Sequence, residues 1–447
     1  MVLVANSLKK WGIKRINVLF AKFEPLNANN MFLKSLTLHN FKCLSDIELS
    51  FEKNKASNRR WTLVLGENGT GKSNLLKAIA LVTSGSNALG ELLGDTDSWI
   101  RLNTSGCTIS AILETKKGEE RVISLQINRG DNLSKIISNN RESLHLIDEA
   151  IENAERNYFI VAYGASRRLN SEIFSSVENS RRGGRTVNVR NLFDGSFPLN
   201  PLTSWVIELD YRSGAEGIKI VKEALDDFLP GTKFHSIDKE KKQVLFETQD
   251  GIVPLEQLSD GYQNMAAWIG DLLYRVTETF KEYKKPLEAR GLLLIDEIDL
   301  HLHPNWQRKL YDFIGSKLPN FQVVATTHSP LTAQQTGEGE LFALKRDDNM
   351  IKLIPFIGSP KALLINQLLM SPVFGLETDE SYEVQKAKAE YEQLKAKESL
   401  LTGTEKEQLK AVKIKLKNSL PKRSLPGISE KEFALLQKIE SQLNIKD

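Results

Sequence analysis

The eight residues Gly66-Glu-Asn-Gly-Thr-Gly-Lys-Ser73 constrain this chain more than any other stretch. A glycine, four free positions, Gly-Lys and a hydroxyl residue form a loop whose backbone N–H groups converge on phosphate oxygens. Such a loop needs a strand before it and a helix after it, because the helix N-terminus supplies further donors. Both are present. Trp61-Thr-Leu-Val-Leu65 is an apolar run of strand length, and Asn74-Leu-Leu-Lys-Ala-Ile-Ala-Leu81 carries apolar residues at helical spacing. The pattern predicts a cradle for nucleotide phosphates built from Gly66, Glu67, Asn68, Gly69, Thr70, Gly71, Lys72, Ser73 and Asn74. Lys72 would reach the β and γ phosphates of ATP, and Ser73 would ligate Mg2+.

With 447 residues the chain can bury a sizeable core in two or three lobes. Its net charge of +3 is too small to demand a nucleic-acid partner, so any such surface must be local. Cys43 and Cys107 stand in no metal spacing, which fits a reducing, cytoplasmic compartment. No run of eighteen apolar residues occurs, so no membrane partner is expected. Residues 1–30 carry scattered Lys and Arg without a signal-like apolar core and read as an N-terminal extension, with Met31 as an alternative start.

From Phe32 the chain alternates apolar and polar residues up to Leu44, and again over Ile47 to Phe51, predicting two strands. Cys107 to Leu113 and Arg121 to Ile127 predict a hairpin, Glu142 to Arg156 a helix, and Tyr158 to Ala162 a buried strand. Asn170 to Asn191 is rich in Ser, Gly, Asn and Arg and reads as a mobile basic loop carrying Arg181, Arg182, Arg185 and Arg190. It is either a solvated loop or a phosphate-contacting surface on nucleic acid. Trp205 to Arg212 and Ile218 to Leu229 look helical, and Lys233 to Asp238 and Gln243 to Thr248 look like short strands.

Three later segments carry chemistry. Leu255-Glu-Gln-Leu-Ser-Asp-Gly-Tyr-Gln263 precedes a long amphipathic helix, so Ser259, Gly261 and Gln263 form either a second anion-binding turn or a simple N-cap at Ser259. Gly291-Leu-Leu-Leu-Ile-Asp-Glu297 is a continuous apolar strand ending in two acids. Its end places Asp296 where it can hold magnesium or its water ligands, and Glu297 where it can orient or deprotonate an attacking water. His301 and His303 follow, with no further obvious zinc ligand in the sequence. Phe321-Gln-Val-Val-Ala-Thr-Thr327 is another core strand, and it leads into His328, where a histidine can touch a γ phosphate. Leu341 to Lys345 and Met350 to Pro355 pair as a terminal hairpin. Beyond Pro360, charged amphipathic helices over Asp379 to Lys417 and a third over Glu430 to Leu443 either pack on the rest of the chain or dock a partner.

In this order the motifs resemble the ABC-type ATPase heads of the SMC and RecF group, over roughly Met31 to Gly358. The resemblance implies an α/β P-loop NTPase: a mixed, mainly parallel central sheet, an antiparallel β subdomain, a helical lobe bearing the signature turn, and C-terminal helices. Residues 31–360 would form the head, with an insertion over about 140–230, and residues 361–447 a helical docking region. It further implies a homodimer or higher homo-oligomer that sandwiches ATP, with Ser259 and Gly261 reaching the γ phosphate held by Lys72 of another copy. Two departures stand out. Asp260 replaces the usual glycine of transporter signatures, and Tyr163-Gly-Ala-Ser-Arg-Arg168 stands where the family carries its magnesium and γ-phosphate glutamine, so the resemblance would leave part of that role to Arg167 or Arg168. Within the group, a short head without a long coiled coil resembles the PtuA-type ATPases of Septu and some retron anti-phage systems, which implies an HNH nuclease as partner. A DNA-binding ATPase of repair or recombination is the competing reading, and a transporter subunit is disfavoured by the same departures.

Overall fold

The computed structural model describes residues 33–54, 57–114, 118–153, 159–167, 184–229, 231–348, 350–397 and 402–419. The extension over residues 1–30, Arg168, Arg181, Arg182 and the helix expected over Glu430 to Leu443 lie outside them. The chain forms two compact units, one through Gly375 and one from Leu376.

The first unit is built on a six-stranded sheet. Its strands are β3 (Trp61–Gly66), β6 (Ile160–Tyr163), β10 (Gly291–Ile295), β11 (Phe321–Thr326), β12 (Leu341–Asp347) and β13 (Met350–Pro355), in the order β13-β12-β3-β11-β10-β6. All neighbours are parallel except the edge pair β12 and β13. The sequences of β3, β10 and β11 are apolar without alternation because both faces of this sheet are covered. Successive residues are sent to opposite cores. Val64, Leu292, Leu294 and Val324 join one cluster, while Leu63, Leu65, Leu293, Ile295, Val323 and Ala325 join the other.

The first core lies under a second, antiparallel sheet, β2-β1-β4-β5, made of β1 (Leu33–Phe41), β2 (Leu44–Ser50), β4 (Gly106–Glu114) and β5 (Glu120–Asn128). Helix α1 (Lys72–Thr83) buries Leu75, Leu76, Ile79 and Leu81 in the same core. The second core is filled by helices α3 (Leu202–Phe228, broken at Gly214), α4 (Asp260–Thr279) and α5 (Pro304–Lys317), and by a small antiparallel sheet of β7 (Lys233–Asp238), β8 (Gln243–Thr248) and β9 (Gly251–Pro254).

One sequence expectation is corrected. The segment expected as a loop through Asn191 contains helix α2 (Gly184–Phe193), which buries Thr186, Val187, Val189, Asn191 and Leu192. Its β-branched and polar residues are weak helix formers, and packing overrides that preference. Arg185 and Arg190 therefore sit on a helix. Arg185 donates to the Thr83 carbonyl at 3.4 Å, and Arg190 pairs with Glu91 at 3.6 Å and lies over the Phe197 ring.

The second unit contains α6 (Tyr382–Ala396) and α7 (Gly403–Ser419). Among the described residues, no helix is long and apolar enough to cross a membrane.

Candidate functional site

Strands β3, β11 and β10 are consecutive in the sheet, so the loops at their C-terminal ends meet at one edge, the edge where ligands bind in open α/β sheets. Gly66 to Gly71 leave β3 and turn into α1. Gly71 has φ +91°, a left-handed conformation natural to glycine, and a Cβ there would come within 2.8 Å of Cys43 Sγ and of a Leu44 methyl. The tip of the β1–β2 hairpin thus closes on the loop, and Asn74 donates to Cys43 Sγ at 3.5 Å. Thr70 turns inward and donates to the Glu67 carbonyl at 2.8 Å, while Glu67, Asn68 and Gly69 stay exposed.

Lys72 folds back over this loop. Its Nζ lies 2.9 Å from the Gly66 carbonyl, 2.7 Å from His328 Nε2 and 3.6 Å from Glu297 Oε1. Burial pulls its pKa below the ordinary lysine value, with Glu297 and Asp296 acting in the opposite sense. Ser73 donates to Asp296 Oδ2 at 2.6 Å. The other Asp296 oxygen accepts from Thr326 Oγ1 at 2.6 Å, and that same hydroxyl accepts from the Glu297 backbone N–H at 2.8 Å. Thr326 therefore fixes both acids. A polar residue closing the apolar run of β11 was its mark in the sequence.

Glu297 has φ +47°, unusual for a side chain of this size. Its carboxylate lies 3.2 Å from His328 Nε2. Burial raises its pKa above the usual carboxylate range. His328 and Lys72 oppose the shift, and Asp296 and Asp299 add to it. Asp299 is likewise raised by burial and accepts from Thr327 Oγ1.

Behind the acids runs the segment after β6. Arg167 is buried and donates through Nη2 to the Glu297 carbonyl. Asn191 of α2 holds this segment in place: its Oδ1 accepts from Gly164 N–H at 3.0 Å, and its Nδ2 donates to the Ser166 carbonyl at 3.1 Å. Beside it, Tyr163 donates at 2.8 Å to Asp271 of α4. Asp271 also accepts from Arg275 Nε at 2.6 Å and from Asn200 N–H at 2.9 Å. This fully buried network, which ties β6 to α4, had no motif to announce it.

Ser259 occupies the N-cap position of α4 but its side chain makes no capping hydrogen bond. Gly261 lies against the His301 carbonyl, which a Cβ would approach to 3.0 Å. Gln263 holds the turn itself, donating to the Glu256 carbonyl at 2.9 Å and the Leu258 carbonyl at 2.7 Å. His303 caps α5, and its Nδ1 accepts from Asn305 N–H. The structure thus gathers Lys72, Ser73, Asp296, Glu297 and His328 at one place, and sets the Ser259–Gly261 turn on α4, whose apolar face fills the other core.

A phosphate loop, paired acids on the neighbouring strand but one, and a histidine between them on a doubly covered sheet define a P-loop ATPase with an ABC-type head. The chain belongs to the family described as "AAA domain, putative AbiEii toxin, Type IV TA system", which matches residues 62–333. It is similar to the Septu protein PtuA of Bacillus mycoides strain KBAB4, at 28% identity over 356 residues, covering 79% of this chain and 46% of that protein. It is also similar to the "Retron Vc95 probable ATPase" of Vibrio cholerae serotype O1 biovar El Tor, at 23% identity over 411 residues, 75% of this chain and 77% of that one. The chain thus spans about half the length of the first relative and most of the second. Among solved structures, an SMC head bound to the C-winged helix domain of ScpA aligns with a TM-score of 0.46 at 16% identity, over 73% of this chain and 98% of that one.

Proposed function

We propose that this chain hydrolyses ATP with magnesium, pairs head to head around two nucleotides, and uses that cycle to govern a partner nuclease of the HNH type in anti-phage defence. The observation that carries the reaction is the convergence of Lys72, Ser73, Asp296, Glu297 and His328 at one sheet edge. Similarity to Septu PtuA and a retron ATPase supports the defence setting.

Ser73 and Asp296 would hold magnesium, since a hydroxyl and a carboxylate 2.6 Å apart are the hard oxygen donors this ion prefers. Magnesium keeps several waters and is commonly bound by one or two protein oxygens together with substrate phosphates, so these two donors would suffice. When bound, magnesium neutralises charge on the β and γ phosphates. Lys72 would exchange His328 and Glu297 for the phosphate oxygens, fixing the γ phosphate over the loop. Glu297 would take a proton from water as the water oxygen attacks phosphorus and ADP leaves with the electron pair of the broken bond. His328, within reach of both Lys72 and Glu297, would contact the γ phosphate. Ser259 and Gly261 would meet the nucleotide of the second copy, a role supported by a Ser259 side chain that makes no capping hydrogen bond with its own helix. Helices α6 and α7, within the region from residue 361, would dock the nuclease. Nucleic acid, as an alternative partner, would meet Arg181, Arg182, Arg185 and Arg190, and binding that weakens steeply with salt and with their substitution would reveal it.

The test is Glu297→Gln. Turnover should fall by about 10² to 10⁴, the usual cost of losing a general base, while nucleotide binding persists and dimers accumulate by light scattering. Equal turnover in wild type and variant would refute the assignment.

A further inference from the structure

Arg167 is 5% exposed. Its Nη2 is committed to the Glu297 carbonyl, but its Nη1 has no hydrogen-bond partner among the described residues. Native proteins rarely leave a buried charged donor without an acceptor. Arg167 borders a cavity of about 200 Å³ that is also lined by Ser166, Asn264, Trp268 and His301. No carboxylate is among the lining residues; Ser166, Asn264 and His301 bring a hydroxyl, an amide and an imidazole to the lining, and the guanidinium lies 5.7 Å from the Trp268 ring centroid. The volume is below the roughly 300–1,000 Å³ of pockets for drug-sized ligands, so the occupant is small.

We propose that this cavity is a second anion site, separate from the Gly66–Ser73 loop, that binds one small oxyanion, with inorganic phosphate as its occupant. Naming phosphate rests on the ATPase reading, since that reaction would release it nearby; the preference for an anion does not. Asp296, Asp299 and Glu297 lie near enough to act on Arg167, and burial brings its pKa down to about 10, so the guanidinium still carries its charge at neutral pH. The anion would accept from Nη1 while Nη2 keeps the main chain of Glu297, so occupancy would be felt at the residue that activates water.

Calorimetric titration of inorganic phosphate into the full chain saturated with Mg-ADP tests this, with sodium chloride at matched ionic strength as the blank. One phosphate per chain should bind in addition to ADP. Asn264→Asp puts a negative charge on a half-buried lining position and should weaken phosphate at least tenfold with ADP affinity unchanged. Arg167→Gln should abolish it. Phosphate that binds only when ADP is left out lies in the Gly66–Ser73 loop and would overturn the proposal. So would binding that survives Asn264→Asp and Arg167→Gln unchanged. Specific phosphate binding by a chain without ATPase activity would support this site while refuting the reaction proposed above.

Discussion

The buried pair Asp271–Arg275 gives a demanding test of the packing. Asp271 is 0% exposed, and its two oxygens serve Tyr163, Arg275 and Asn200. Arg275 is 6% exposed and has Asn188 as a further partner at 2.9 Å. Asp271→Asn keeps an acceptor for the tyrosine but leaves the guanidinium as an uncompensated buried charge, a change that costs about 3–5 kcal/mol. With a urea slope of about 3 kcal/mol/M, the unfolding midpoint should fall by about 1–1.7 M. Arg275→Met should cost a similar amount, because the carboxylate then loses its counter-charge. The double variant should recover part of the loss, with a coupling of about 1–3 kcal/mol in a double-mutant cycle. Losses that add within about 0.5 kcal/mol would refute the reasoning, since they would mean that the two groups do not depend on each other.

Four further outcomes follow from the geometry. Because the Glu297 carboxyl has its pKa raised in the fold, its favourable contribution is present at acid pH and lost as pH rises through the folded value; Glu297→Gln should therefore raise the melting temperature at neutral pH, with a gain that shrinks in acid. The same shift places the acid limb of the wild-type pH–rate profile above the usual carboxylate pKa near 4.5. Gly71→Ala combines a left-handed φ with a clash against Cys43 and Leu44, so it should cost about 1–2 kcal/mol in backbone strain and about 1–3 in overpacking, and weaken ATP binding measured by fluorescent-nucleotide titration. Gln322→Leu should cost about 1–3 kcal/mol for each group it leaves unpaired, because the buried Gln322 amide accepts from Leu33 N–H at 3.0 Å and donates to the Leu33 carbonyl at 2.8 Å; urea unfolding measures the loss.

What could be read in the sequence was the part whose chemistry fixes residue type at fixed spacing. A phosphate loop needs its glycines, lysine and hydroxyl in order, and a doubly covered strand must be apolar throughout, so β3, β10, β11 and the residues at their ends were legible. Residues that act through space were not. Tyr163 and Asp271 are 108 positions apart, and Thr326 and Asp296 are 30 apart, with nothing local to join them. Helix α2 was misread for the opposite reason: Gly-Arg-Thr-Val-Asn-Val-Arg-Asn has the local look of a loop, and only the burial of Val189 and Leu192 against the first core makes it a helix.

The pairing of β3 bears on how the chain is made. Trp61 pairs with Val323, and Leu63 with Leu341, while Leu33 is bonded to Gln322 across 289 positions. From Ser73 to Phe321, where the first neighbouring strand begins, is 248 positions, which a ribosome adding about 5–20 residues per second needs roughly 12–50 s to cover. Throughout that interval the phosphate loop has been made but neither of its neighbouring strands has. A growing chain carries the loop long before it carries Asp296 and Glu297, so the two halves of the site meet only after more than two hundred further residues have been added.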